Sequence, residues 1–270
     1  MRNISARPNS VLLAVWLVGS LLLAFILAPL IGLATVQSPA NLVRVAAMPD
    51  VRLAIALSLL AALLTTLSAA LLGVPLAYGL ARSDFRGKEI IAAIVDLPLA
   101  IPHTVAGIAL LIVFGRQGWI GGPAGEFLGL RFWGTLAGVV VGMLFVSAPY
   151  AVNAARIGFE AIDPRLEKVA RTLGMGPWDV LAKIALPLAW RSILTGLTLT
   201  YARAISEFAA VAILAYYPMT APVKIYELFL QFGLDASSGM ALLLLVVTLA
   251  LFILLRQIGR RGGAFARAGR

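Results

Sequence analysis

Six long apolar blocks dominate this sequence and leave few folds open to it. They fall at positions 11–33, 53–81, 90–114, 133–157, 190–215 and 239–258. A helix rises ~1.5 Å per residue, so about 20 residues cross the ~30 Å hydrocarbon core of a bilayer, and each block is long enough. Strands of a membrane barrel would alternate apolar and polar side chains, and these blocks do not. Of the 270 residues, 61% are hydrophobic and 13% charged. A soluble domain carries about 25% charged residues, so this chain has too little polar surface to coat a water-soluble globule. Gly73 with Pro75 and Pro98 with Pro102 interrupt two blocks, which membrane helices tolerate when neighbours satisfy the freed carbonyls. With no internal repeat or low-complexity linker, the chain reads as all-α: a polytopic membrane protein of about six transmembrane helices in one domain.

The N-terminus imitates a signal peptide, with Arg2 and Arg7 before an apolar run. That run is far longer than the 7–15 residues of such a peptide's apolar region, and no clear small-x-small cleavage site follows, so it reads as a retained first span. Lys and Arg then orient the spans. One set of connections holds sixteen of them: Arg2, Arg7, Arg82, Arg86, Lys88, Arg156, Arg165, Lys168, Arg171, Lys183, Arg191, Arg256, Arg260, Arg261, Arg267 and Arg270. The opposite set holds Arg44, Arg52, Arg116, Arg131 and Lys224, and Arg203 lies within a span. This bias puts both termini in the cytoplasm and accounts for the net charge of +10 through topology, without nucleic acid. The basic tail reads as an anchor near anionic membrane lipid. Trp119, Trp133, Trp190, Tyr216 and Tyr217 read as interfacial aromatics. The sequence has no cysteine, which excludes disulfides, thiolate metal sites and a thiol nucleophile.

The connection between spans four and five is more than a loop. Asp163 and Pro164 form a helix start, an N-cap oxygen followed by proline at the first helical position. Leu166, Val169, Ala170 and Leu173 repeat at helical spacing, and Gly174 fits a C-cap. Gly176 and Pro177 open a second short helix, with Trp178, Leu181, Ala182 and Ala185 on one side, expected to end at Pro187. Two short amphipathic helices on the cytoplasmic side would suit docking into a partner's groove.

The run Glu167-Lys168-Val169-Ala170-Arg171-Thr172-Leu173-Gly174, followed by Ile184, Leu186 and Pro187, resembles the EAA motif of bacterial and archaeal ABC importer permeases. Ala170, Gly174, Ile184, Leu186 and Pro187 match in register, with Lys168-Val169 where Glu-Ala is usual and Glu167 one residue early. The resemblance implies a type I ABC importer permease whose cytoplasmic loop, 163–187, couples to an ATP-binding subunit. It implies an N-terminal cytoplasmic segment with the first span at 1–50, the transmembrane domain at 51–258, and a basic cytoplasmic tail at 259–270. The sequence has no G-x-x-x-x-G-K-[ST] phosphate-cradling loop, so ATP and Mg belong to the partner and this chain binds no cofactor of its own. One coupling loop per chain and two ATPases per transporter imply a homodimer, fed by an external oxyanion-binding protein, in a bacterial or archaeal inner membrane.

Two further stretches narrow the cargo. Residues 96–111, with Pro102-His103-Thr104, look like the third helix of molybdate, tungstate and sulfate permeases. Residues 206–222, with Ser206-Glu207-Phe208 and Tyr216-Tyr217-Pro218-Met219, are similar to the fifth helix and following loop of the molybdate/tungstate branch, with Ala209 where Gly is usual. From the residues themselves, Gly196, Thr200, Arg203 and Glu207 form a polar stripe along span five. A charge inside a span usually faces protein or an aqueous path. Two readings stay open: a stripe lining the pathway, with Arg203 toward a dianion, or an Arg203–Glu207 pair one turn apart that neutralises itself at a helix interface. His103 and Thr104 stand where Pro102 must break the helical ladder, at a gate or in packing; Asp96 caps or pairs with a neighbouring helix. The nearest rival is a sulfate or thiosulfate permease. A membrane-embedded enzyme using Asp96, His103 and Glu207 lacks H-E-x-x-H and G-x-S-x-G, and a channel would need no ATPase-docking loop.

Overall fold

The computed structural model describes residues 10–261; Arg2, Arg7, Arg267 and Arg270 and most of the basic tail lie outside the described residues. Among the described residues the ordered elements are all helices, with no strand. Helix α1 covers Ser10–Val36, a short α2 Pro39–Ala47, and α3 Pro49–Arg82. The third apolar block is two helices, α4 at Lys88–Ala100 and α5 at His103–Phe114, bent by 113°. A short α6 (Gly121–Leu128) precedes α7 (Leu136–Glu160). The loop region holds α8 (Pro164–Thr172) and α9 (Pro177–Val180), followed by a π-helical turn (Leu181–Ala185) and α10 (Leu186–Ile205). The chain ends with α11 (Ala209–Leu214), α12 (Ala221–Phe232) and α13 (Leu234–Arg261). Five helices are long and apolar enough to span, or six with the bent pair counted as one.

Three expectations are corrected by this arrangement. Block three is not one continuous span, because Pro102 removes an amide and its ring disfavours helical backbone at Ile101, which is extended at φ −83°, ψ 145°. Span five does not run to position 215, but stops at Ile205 and resumes in α11. The second short loop helix does not end at Pro187. The π turn carries it on, with Leu186 N donating to Leu181 O, so that Pro177–Ile205 forms one helical run long and apolar enough to cross a membrane. A proline inside an α-helix loses one hydrogen bond and clashes with the carbonyl four residues back, and a wider turn relieves that.

The centre of the bundle is α3, α7 and α10. Val74, Ala77 and Leu80 pack with Val152, Ala155 and Phe159 and with Ala185, Ala189 and Ile193, all buried. Ala61 and Ala62 meet Val139, Met143 and Ala204 further along. Lipid tails are as apolar as leucine, so helices in a bilayer associate through close packing and hydrogen bonds between them, which small residues permit. Hydroxyls add cross-links of this kind: Thr200 Oγ1 donates to Ser147 O (3.3 Å) and Tyr201 OH to Leu59 O (3.3 Å). Many other large apolar side chains point outward. On α1, Trp16 and Phe25 are 71% and 77% exposed, the surface a lipid solvent favours.

Gly196 marks a close approach in the central packing. A Cβ there would stand 2.7 Å from Ala154 Cβ and 3.0 Å from Tyr150 O, both on α7. On α1, a Cβ at Gly19 meets nothing within 4 Å. Gly196→Ala is therefore expected to destabilise the detergent-purified protein by about 1–3 kcal/mol through overpacking. Gly19→Ala gains helix propensity and leaves thermal unfolding unchanged or slightly improved. Equal unfolding curves for the two variants would contradict this packing.

Candidate functional site

The loop between α7 and α9 is built as the sequence anticipates at both ends of α8. Asp163 Oδ1 accepts the Arg165 amide (2.9 Å) as the N-cap. At the other end Met175 N donates to Ala170 O and Gly174 N to Arg171 O, the paired bonds of a Schellman cap. Gly174 has φ +89°, a left-handed conformation that side chains resist. Of the apolar positions on α8, only Ala170 is buried; Leu166 and Val169 are exposed, Leu173 is 79% exposed, and Trp178 on α9 is 82% exposed. Lys168 is exposed as well, Ile184 and Leu186 are half-buried, and Pro187 is exposed. The result is an uncovered patch of large apolar side chains beside cations on a short polar helix.

Glu167 turns away from that patch. It is 4% exposed, with Oε1 accepting Arg82 Nε (2.8 Å) and Oε2 accepting Tyr78 OH (2.9 Å), both on α3. Arg82 Nη2 also donates to Ile162 O (3.3 Å) just beyond α7, and the Tyr78 ring meets Phe159 edge-on at 5.2 Å. Sequence reasoning missed Tyr78 and Arg82. Their only signal is a spacing of four at the end of a span, one face of a helix.

A second constellation forms where two broken spans meet. The bend at Ile101-Pro102 and the break at residues 206–208 lie side by side, since α5 packs on α11 through Ala106, Leu110, Ala210 and Leu214. Gly107 makes this possible: a Cβ there would stand 2.9 Å from Ile213 side-chain atoms and 3.1 Å from Ala210 Cα. At the junction Arg203 Nη2 lies 2.7 Å from Glu207 Oε2 and 2.7 Å from His103 Nε2. A guanidinium only donates, so His103 Nε2 is the acceptor here. Glu207 Oε1 takes the Ala210 amide (2.8 Å), capping α11. Glu207 is 1% exposed, whereas Arg203 is partly open and His103, Thr104 and Ser206 are exposed.

Of the predicted stripe, the structure unites Arg203, Glu207 and His103, with Thr104 the next residue along. Gly196 and Thr200 turn the other way, buried against α7, so the stripe is not one continuous lining. Arg203 and Glu207 are paired, and the pair also reaches a third group from another span. The cluster has a buried end at Glu207 and an open end at His103. Asp96 pairs with a neighbouring helix: its Oδ1 accepts Asn153 Nδ2 of α7 (2.6 Å). Among the described residues no group of three or more His, Cys, Asp or Glu is placed to hold a metal ion.

The profile of the family described as binding-protein-dependent transport system inner membrane component matches residues 69–261. A molybdate/tungstate transport system permease protein, WtpB of Thermococcus kodakarensis, is 44% identical over 246 residues, covering 90% of this chain and 94% of that protein. A probable sulfate transport system permease protein, cysT of Chlorokybus atmophyticus, is 35% identical over 215 residues, covering 78% and 74%. Among solved structures, a bacterial alginate ABC transporter in complex with an alginate pentasaccharide-bound periplasmic protein contains a chain that superposes with a TM-score of 0.74. It covers 93% of this chain and 94% of that one at 19% identity, a likeness of fold.

Removing one partner of a buried ion pair strands the other charge in low dielectric, at a cost of about 3–5 kcal/mol. Arg203→Ala is expected to destabilise the detergent-purified protein by that order. The double variant Arg203→Met/Glu207→Gln, which removes both charges, recovers most of the loss. Equal destabilisation by the single and double variants, measured by thermal unfolding, would show that Arg203 does not compensate the Glu207 charge.

Proposed function

Because this chain belongs to the family of binding-protein-dependent transport system inner membrane components, we propose that it is the membrane-spanning permease of an ATP-driven importer for molybdate and tungstate. The observation that carries the cargo is the 44% identity to a permease named for these oxyanions, across 90% of the chain. The sulfate permease relative is more distant and covers less. The chemistry of the broken-span cluster supports the same class. A tetrahedral dianion needs charge-assisted donors, and an arginine is suited to that geometry. Arg203 and His103 stand at a junction where backbone leaves the helix in two adjacent spans, and in a bilayer such irregular backbone belongs beside protein or a water-filled path. Glu207 would repel an anion. Buried, bonded to Arg203 and capping α11, it positions the guanidinium.

In this reading the chain works as a homodimer in an inner membrane with both termini cytoplasmic. An external binding protein delivers the oxyanion, and two ATP-binding subunits hold ATP and Mg. The uncovered patch of Leu166, Val169, Leu173 and Trp178 docks into those subunits, around the EAA-like residues Glu167, Lys168, Ala170, Gly174, Ile184, Leu186 and Pro187. Closure of the ATPase pair pulls the two loops together and opens the pathway outward; hydrolysis returns it to face inward, a two-state element biased from both sides of the membrane.

The test is uptake of labelled molybdate by cells carrying this chain with its partner subunits, competed with tungstate and with sulfate. Tungstate is expected to compete and sulfate to fail. Competition by sulfate at similar concentration moves the chain to the sulfate branch, and the absence of chain-dependent oxyanion uptake overturns the cargo. A Gly174→Val variant forces a β-branched residue to φ +89°, a strain of about 1–2 kcal/mol that displaces Leu173 from the patch. It is expected to lose most ATP-driven uptake while still reaching the membrane in normal amount.

A further inference from the structure

Few side chains tie α8 to the membrane bundle. Most of its residues are exposed, and only Glu167 and Ala170 are buried. Glu167 reaches across to α3, where Arg82 and Tyr78, four residues apart, grip both of its oxygens. The same two side chains also hold the end of α7, through Ile162 O and the Phe159 ring. Arg82 is the last residue of α3, and the five-residue turn after it leads into α4, the root of the broken span that carries His103.

We propose that Arg82 and Tyr78 are positioning residues, forming a joint by which movement of the α8 loop reaches span two and, through α4, His103. The proposal rests on the importer reading above. One route from the loop is covalent: Pro177–Ile205 is a continuous helical run ending beside Arg203. The second is the Glu167–Arg82–Tyr78 joint, which makes α3 and the start of α4 follow α8. The two routes converge on the Arg203–His103 contact (2.7 Å), one from each side. A pull that travels only along α10 would move Arg203 while leaving His103 behind, and the junction would not change state in step with the ATPase. The acidic residue of the loop thus acts inside this chain, while the exposed apolar patch faces the partner.

The test uses the complete transporter in proteoliposomes, with ATP hydrolysis and labelled molybdate uptake measured together. Arg82→Met keeps the aliphatic stem and removes the charge. It is expected to lower molybdate taken up per ATP hydrolysed by about tenfold, within the ~5–150-fold range of coupling between distant sites. Tyr78→Phe keeps the ion pair and is expected to fall between Arg82→Met and the wild type. Because the chain has no cysteine, an Arg82→Cys/Glu167→Cys pair can be bridged by a short bis-maleimide, and bridging is expected to raise the ratio again. A purely structural role would reduce hydrolysis and uptake together and leave their ratio at the wild-type value in all three variants, which overturns the proposal. A wild-type complex that hydrolyses ATP without moving molybdate overturns the importer reading instead.

Discussion

Hydrocarbon offers a backbone amide no hydrogen-bonding partner, so a chain in a bilayer keeps its helices closed except where protein or water covers the opening. Most of this molecule obeys that constraint simply, in long runs such as α3, α7 and α13. Two exceptions, at Ile101-Pro102 and at residues 206–208, occur next to each other, and the reason is physical. Each opening is covered by the element beside it, with α5 lying on α11 across Gly107 and Glu207 supplying an acceptor to the Ala210 amide. The same carboxylate neutralises Arg203. One buried side chain therefore caps a helix, holds a cation and lets a membrane permease carry irregular backbone within its bundle.

The loop and this junction lie at opposite ends of one rod. The run Pro177–Ile205 has 29 residues, about 40 Å at the helical rise, so it links the apolar patch around Trp178 to Arg203 without a flexible joint. Packing of small residues along α7 keeps that rod from sliding independently: Gly196 rests against Ala154, and Gly158 leaves room for Ser192, whose Cβ would lie 2.5 Å from any Cβ placed there. Close packing of this kind makes the rod stiff, since interiors this dense rearrange between discrete arrangements more readily than they deform.

Much of this was legible in the sequence wherever the signal was local. Hydropathy located the spans, and Asp163, Pro164 and Gly174 fixed α8 to within its caps. Pro102 announced a break, but the 113° bend depends on α11 fitting against Gly107, a contact across a hundred residues of chain. The break after Ile205 carried no glycine or proline; Ser206, Glu207 and Phe208 leave the helix, and Glu207 accepts both the Arg203 guanidinium and the Ala210 amide there. The short helices α2, α6 and α12 escaped the reading because segments of 8 to 12 residues take their stability from tertiary packing rather than propensity. Arg82 was counted as one more positive charge on its side of the membrane. Only the fold shows that its partner is Glu167.

The π turn at Leu181–Ala185 has a consequence for phase. Each residue of an α-helix advances the face by about 100°, and a turn that closes on Leu181 from Leu186 takes in one residue more than the regular ladder. Side chains on either side of it are therefore out of step by roughly that angle. An apolar stripe extrapolated from Trp178 past Pro187 would point in the wrong direction, whereas the actual faces let Trp178 look outward while Ala189 and Ile193 look inward. The extra residue acts as a fixed rotation set into the shaft, so that its two ends address different surroundings.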